Sequence, residues 1–146
     1  MTDVAHWVGR IGTILGCLSL VIIVSAAGAL WWFAADMCEN TIVQTIESPD
    51  RKHVVTMFER SCGATTGFST QVSVLEYGNV PTGGGNAFRA DTDHGNARTG
   101  GWGGPWAEIR WLSNNRLLIR YAQGSRLFEQ DEQVSGVKIT YQMANR

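Results

Sequence analysis

The sequence predicts a mostly β protein: one N-terminal transmembrane helix, then an antiparallel β meander, sandwich or partly open barrel of about seven strands. Three observations predict it. Residues 11–35 contain no charged residue and no His, Asn, Gln or Pro. From residue 40 onward apolar residues recur with the period of two that marks a half-buried strand. Turn residues separate nearly all of these segments, and no long helical stripe follows residue 40, which disfavours an α/β fold.

The apolar run reads IGTILGCLSLVIIVSAAGALWWFAA. As a helix it rises about 37 Å, more than the ~30 Å hydrocarbon core of a bilayer. Trp31 and Trp32 stand near one end and Trp7 just outside the other, where amphipathic rings meet the headgroups. The amine and Arg10 precede the run, and Asp36 and Glu39 follow it. Positive charge stays inside, which predicts a cytoplasmic tail over residues 1–10, a bilayer-embedded helix over 11–35 and an extracytoplasmic β domain over 36–146. The expected location is the inner (cytoplasmic) membrane, single-pass, with the C-terminal domain in the periplasm. Ala27-Gly28-Ala29 fits a signal-peptidase pattern, but the apolar run is longer than a cleavable h-region of about 7–15 residues, which favours an uncleaved signal anchor. Ile14-Leu15-Gly16-Cys17 resembles a lipobox with its apolar stretch on the wrong side of the Cys. The small residues Gly12, Gly16, Ala26, Ala27, Gly28 and Ala29 suit close helix packing or simply lack a partner.

Cys38 and Cys62 fall on the outer side, whereas Cys17 lies within the apolar run as a small filler. Two thiols in an oxidising compartment predict a Cys38–Cys62 disulfide, worth about 3 kcal/mol in the chain-entropy model. The alternatives are free structural thiols, or Cys62 as a nucleophile, for which the sequence supplies no adjacent base.

Residues 41–46 are rich in β-branched side chains and open the domain. Ser48-Pro49-Asp50-Arg51 predicts a turn and KHVVTMFER (52–60) a strand. QVSVLEY (71–77) is the next strand, ended by Gly78-Asn79, and residues 86–90 form a short one. Alternation over 107–111, 117–121 and 137–143 predicts three more, with Ser113-Asn114-Asn115 as a hairpin turn in which Asn tolerates positive φ, and Gln123-Gly124-Ser125 as a second turn. The turn-then-strand pattern of 48–55 recurs at 112–119 like half-blades of a propeller, but the chain is too short to close one.

The 146 residues suffice for one ordinary domain, and a net charge of -1 gives no field for nucleic acid. Charged residues make up only 17%, below the roughly 25% of an average soluble domain, as an apolar anchor requires.

Three segments are candidates for function. SCGATTGFSTQ (61–71) carries five hydroxyls, of which Thr65, Thr66, Ser69 and Thr70 form either a nest for a polar or anionic ligand or a tight connection satisfied locally. It lacks the Lys and following helix of a phosphate loop. Residues 78–105 form a long glycine-rich stretch in which Trp102 and Trp106 bracket Gly103-Gly104-Pro105, as exposed partner contacts or as core plugs. Its composition predicts that Gly95 to Gly104 is mobile until a partner holds it. Asp91, Asp93 and His94 have metal-ligand chemistry, but the EF-hand pattern fails at Gly95 and Trp102 and a third zinc ligand is lacking, so no metal is expected. No nucleophile elbow, zincin motif or dinucleotide fingerprint occurs, so neither catalysis nor a cofactor is expected.

Ser48-Pro49-Asp50, then Cys62-Gly63-Ala64-Thr65-Thr66-Gly67-Phe68-Ser69-Thr70-Gln71-Val72, then Gly85-Asn86-Ala87-Phe88 resemble a family of small bacterial envelope proteins of unknown function. The resemblance covers about residues 38–141 and omits the anchor, Asp93-His94 and the Gly100–Gly104 run. It implies a bacterial, membrane-tethered domain and brings no catalytic residues. The expected function is a non-enzymatic binding or interaction module that meets a protein partner in the cell envelope, a toxin-immunity-like protein being one form. The alternatives are a small subunit of a membrane complex and an envelope hydrolase or redox protein.

Overall fold

The computed structural model describes residues 2–35, 38–63 and 66–145, with side chains of the N-terminal helix described over 15–31. The chain divides into two compact units, Met1–Met37 and Cys38–Arg146. The first is one helix, α1 (Thr2–Ala35), which begins earlier than the apolar run alone predicts. Every described side chain of α1 is exposed, Leu20, Ile22 and Val24 among them. Among the described residues no helix is long and apolar enough to cross a membrane.

The second unit holds nine strands among the described residues: β1 (Glu39–Glu47), β2 (His53–Ser61), β3 (Ser69–Glu76), β4 (Phe88–Asp91), β5 (Ala107–Ser113), β6 (Arg116–Ala122), β7 (Arg126–Gln130), β8 (Gln133–Val134) and β9 (Val137–Ala144). They form two sheets, ordered β1-β2-β3-β4-β7 and β5-β6-β9-β8. Of the predicted architectures, the sandwich is the one observed. Val55 and Met57 of β2, Val72 and Val74 of β3 and Phe88 of β4 meet Ile109, Leu117, Ile119 and Ile139 of the other sheet in one core.

The Ser48-Pro49-Asp50 turn forms as its residues dictate. Ser48 Oγ donates to Asp50 Oδ1 at 2.8 Å and accepts from His53 N at 3.0 Å. Arg51 adopts φ 56° where similar turns place glycine. That hydrogen bond from Ser48 holds the Asp50 carboxyl below its ordinary pKa. At the opposite end of this hairpin, one position beyond the Glu39↔Ser61 pair, Cys38 and Cys62 are joined in a disulfide with Cα atoms 3.9 Å apart.

Three expectations need correction. The fold is not wholly antiparallel: β6 and β9 pair in parallel, Arg116 opposite Lys138 through Ala122 opposite Ala144. The reason is β7, which the sequence left unassigned. After β6 the chain leaves for the first sheet, where β7 pairs with β4, and re-enters beside β6 running the same way. RLFEQ is short, and Leu127 and Phe128 stand side by side in it, with Phe128 skipped where the pairing with β4 slips between Arg89 and Ala90, so its sequence shows no apolar alternation. The Asn114-Asn115 hairpin closes without positive φ, using a register shift between Trp111 and Ser113 instead. The short strand begins at Phe88 rather than Asn86, because the Asn86 side chain bonds the strand edge: Oδ1 accepts from Val74 N at 2.9 Å and Nδ2 donates to Val74 O at 3.0 Å.

The glycine-rich stretch is largely built into the sandwich. Residues 79–86 strap the outer face of the first sheet, where Asn40 Nδ2 donates to Gly83 O at 2.9 Å and Gly85 N to Gln71 Oε1 at 2.7 Å. A Cβ at Gly85 would stand 2.8 Å from Phe88 O and 2.9 Å from Val72 O, so only glycine passes there. Beside this strap Phe58, cross-strand from Gln71 on that outer face, is fully buried. Residues 98–106 form a tight turn closed by Gly100 N to Gly104 O, Gly103 N to Gly100 O and Trp106 N to Arg98 O. These bonds close part of the segment in which mobility is expected from composition, and there Gly100, Gly103 and Gly104 stand in close approach to Trp102, Phe68 and Thr70.

Candidate functional site

One continuous row crosses all five strands of the first sheet: Asn40 opposite Arg60, Arg60 opposite Ser69, Ser69 opposite Asp91, Asp91 opposite Arg126. Because alternate residues of a strand share a face, all five side chains belong to the outer face of the sandwich. Arg60 Nη1 donates to Asn40 Oδ1 at 2.6 Å. Arg126 clamps Asp91 bidentately, with Nε to Oδ1 at 3.1 Å and Nη2 to Oδ2. Asp91 Oδ1 also accepts from Asp93 N at 2.8 Å.

Four members of this row, Arg60, Ser69, Asp91 and Arg126, line a cleft of about 540 Å³. Phe68, Phe128, Cys62, Thr66 and His94 line it with them. Both phenylalanines are about half exposed, at 51% and 58%. Arg126 stacks 5.1 Å from the Phe128 ring centroid, so the same guanidinium serves carboxylate and aromatic wall. His94 reaches the cleft from a turn in which Asp93 (φ 45°), His94 (φ 57°) and Gly95 (φ 92°) are all left-handed. Ala97 N to Thr92 O and Asn96 Nδ2 to Asp93 Oδ2 close that turn.

Burial raises the Asp91 pKa, but the Arg126 hydrogen bond, the Asp93 N–H and the charges of Arg126 and His94 outweigh it, and the net shift is downward. The same Asp91 hydrogen bond raises Arg126. Since the folded pKa of Asp91 lies below the unfolded one, its contribution to stability is complete above the ordinary carboxylate range. It fades as pH falls through the lowered value.

Of the residues singled out from sequence, Cys62, Thr66 and Ser69 meet in this cleft. Their local bonds are made: Thr66 Oγ1 accepts from Cys62 N and donates to Gly63 O, and Ser69 Oγ donates to Arg60 O. Thr65 lies outside the described residues. Thr70 belongs to the opposite, core-facing side. Its hydroxyl accepts from Trp102 Nε1 at 2.8 Å and donates to Pro105 O at 2.6 Å. Thr70 and Pro105 are fully buried and Trp102 packs against the core, so here the tryptophan is a plug rather than an exposed contact. A Cβ at Gly104 would come within 2.5 Å of Thr70 Oγ1. Trp106 stands apart, half-buried, with the Arg98 guanidinium 4.0 Å above its ring.

Thr70→Val should lower stability by about 1–3 kcal/mol despite near-equal volume, because it orphans the Trp102 N–H and one acceptor site at Pro105. Denaturant midpoints decide it, and an unchanged midpoint would show that the node adds nothing.

Arg60, Phe68, Arg126 and Phe128 were not singled out from sequence. Arg60 was legible only as the end of a strand, and 35 positions separate Asp91 from Arg126. The metal chemistry weighed for Asp91 and Asp93 is used otherwise: both carboxylates accept protein hydrogen bonds, and among the described residues no metal-ligating group of three or more occurs.

Comparison with family models, curated proteins and solved structures finds no match to this chain. Function therefore rests on the cleft and on the chain's two-unit organisation.

Proposed function

We propose that this protein is a membrane-tethered, extracytoplasmic binding module of the bacterial cell envelope. One helix over residues 11–35 anchors it in the inner membrane, and its β-sandwich, in the periplasm, meets a protein partner. The observation that carries this is the Cys38–Cys62 disulfide, formed three positions after α1 ends at Ala35. Disulfides persist in oxidising compartments, so the bond supports an exported sandwich immediately beyond the apolar segment. The uncharged, largely apolar exposed surface of α1 around Leu20, Ile22 and Val24 supports a lipid environment for the helix.

The cleft supports binding rather than chemistry. Its one carboxylate, Asp91, is held ionised by Arg126 below the ordinary range, which suits neither general acid nor general base at neutral pH. An immunity-like protein against a secreted toxin is one form of such a module. A second reading, a small subunit of a membrane complex, draws support from the small residues Gly12, Gly16, Ala26, Ala27, Gly28 and Ala29 of the apolar run, which would let a partner helix approach closely.

A reporter fused after Arg146 should read as exported, with Cys38 and Cys62 linked in non-reduced peptide maps. A cytoplasmic readout would overturn the compartment. Deleting residues 1–36 separates the two functions, since a module retains its partner without the helix and a helix-packed subunit loses it.

A further inference from the structure

Resting on the binding-module reading, we propose that the cleft at the β2–β3–β4–β7 end of the sandwich recognises a single carboxylate on a partner peptide. Arg60 is the carboxylate's ligand, and an apolar residue next to the carboxylate lies between Phe68 and Phe128.

The guanidiniums of the cleft select the ligand. Two reach it, beside the His94 imidazole whose field falls on Asp91, but Arg126 is bidentate to Asp91 and that pair is electrically closed. Arg60 is bound only through Nη1, to the neutral amide oxygen of Asn40, and has no acidic partner among the described residues. One uncompensated guanidinium, with Nε and Nη2 left to donate, matches one carboxylate in fork geometry. A phosphate dianion fits worse, since its second charge would need a second free cation and Arg126 is already paired with Asp91. The local hydroxyls offer no substitute, because the protons of Thr66 and Ser69 are already donated to Gly63 O and Arg60 O.

The aromatic lining selects what accompanies the charge. Phe68 and Phe128 expose about half their surface in a cleft otherwise lined by a polar row. Such aromatics gain most by covering an apolar side chain. Phe68 is braced rather than free: a Cβ at Gly103 would stand 2.9 Å from its ring. The cleft is also lined by β7, the last strand of its sheet, whose outer edge has no strand partner among the described residues, so a segment beside it meets free main-chain groups. That favours a peptide over a small free acid.

The test titrates detergent-solubilised full chain into fluorescein-labelled Gly-Ser-Phe-Glu-Phe-Ser-amide, its Glu→Gln counterpart and Gly-Ser-Phe with a free C-terminal carboxylate. Anisotropy is the readout. The Glu peptide or the free C-terminus should bind about tenfold tighter than the Gln peptide, and whichever does names the carboxylate's source. Arg60→Gln, which can keep a bond to Asn40, should erase that preference. Phe128→Ser, at an exposed position that leaves the fold intact, should weaken all three peptides together. Equal binding of the Glu, Gln and free-carboxylate peptides would overturn the proposal, as would full competition by millimolar inorganic phosphate. A photo-crosslinker at Phe128 in intact cells tells the two levels apart. If a partner is trapped there but no peptide shows carboxylate preference, the ligand class fails and the module stands. If nothing is trapped either, both fail.

Discussion

Replacing Phe88 by alanine should destabilise the sandwich by about 3–5 kcal/mol, enough to consume a large part of the stability of a domain this size. Phe88 is fully buried on β4, the shortest strand of the first sheet's interior, and it is the largest side chain that strand offers the core. Its ring lies 5.6 Å from that of Tyr121 and 6.1 Å from that of Tyr141, so one side chain joins β4 to both β6 and β9. The Tyr141 hydroxyl, 2.8 Å from Ala87 O and 2.7 Å from Asp131 O, can donate to only one at a time and ties the same strand entrance to the second sheet. Burial and the nearby carboxylates raise the pKa of that tyrosine, so the bond persists through the neutral range. Truncation leaves a cavity where three strands converge, and strands flanked by fixed ladders cannot collapse into it. Urea unfolding should show a lower midpoint with an unchanged m-value, because the native packing is altered and the unfolded chain is not. A loss under about 1 kcal/mol would mean that the aromatic cluster repacks and that β4 is held by its backbone alone.

Removing the disulfide by the double substitution Cys38→Ala and Cys62→Ala should lower stability by about 2–5 kcal/mol, through a different state of the chain. The bond closes the open end of the β1–β2 hairpin, while Ser48-Pro49-Asp50 closes the other. β1 is an edge strand whose only sheet neighbour among the described residues is β2, and it carries a register shift at Val43, between Ile42 and Gln44. Without the bond its free end depends on Asn40, whose side chain ties Arg60 to the 79–86 strap. The unfolded chain also regains the freedom that the cross-link removed, so here the m-value should rise as the midpoint falls. Hydrogen exchange should locate the native part of the loss in the first residues of β1. A reduced wild-type chain should behave as the double variant does. If reduction leaves the midpoint unchanged, the hairpin is held by the strap and the disulfide adds nothing to the stability of the sandwich.

The sequence by itself determined the local grammar. Period-two alternation over 107–111 and 137–141 reports which residues face a core, because a strand's side chains alternate whatever it pairs with, although Leu118 is buried against the pattern and Met143 is exposed against it. The Ser48-Pro49-Asp50 turn and the Cys38–Cys62 pairing were legible for the same reason: each depends on few residues and on general chemistry. Partners were not legible. That β7 belongs to the first sheet, and that β9 lies parallel to β6, follows from how two sheets share one core, which no local pattern encodes. The glycines of 78–105 read as freedom, yet at Gly85 and Gly104 the missing Cβ permits backbone contact with β3 and with the Thr70 node. A composition cannot distinguish a glycine that loosens a chain from one that lets it pass closely. The cleft is the extreme case: Arg60, Ser69, Asp91 and Arg126 come from four strands and become neighbours only through register. Register is a property of paired strands, and so the site exists only in the tertiary structure.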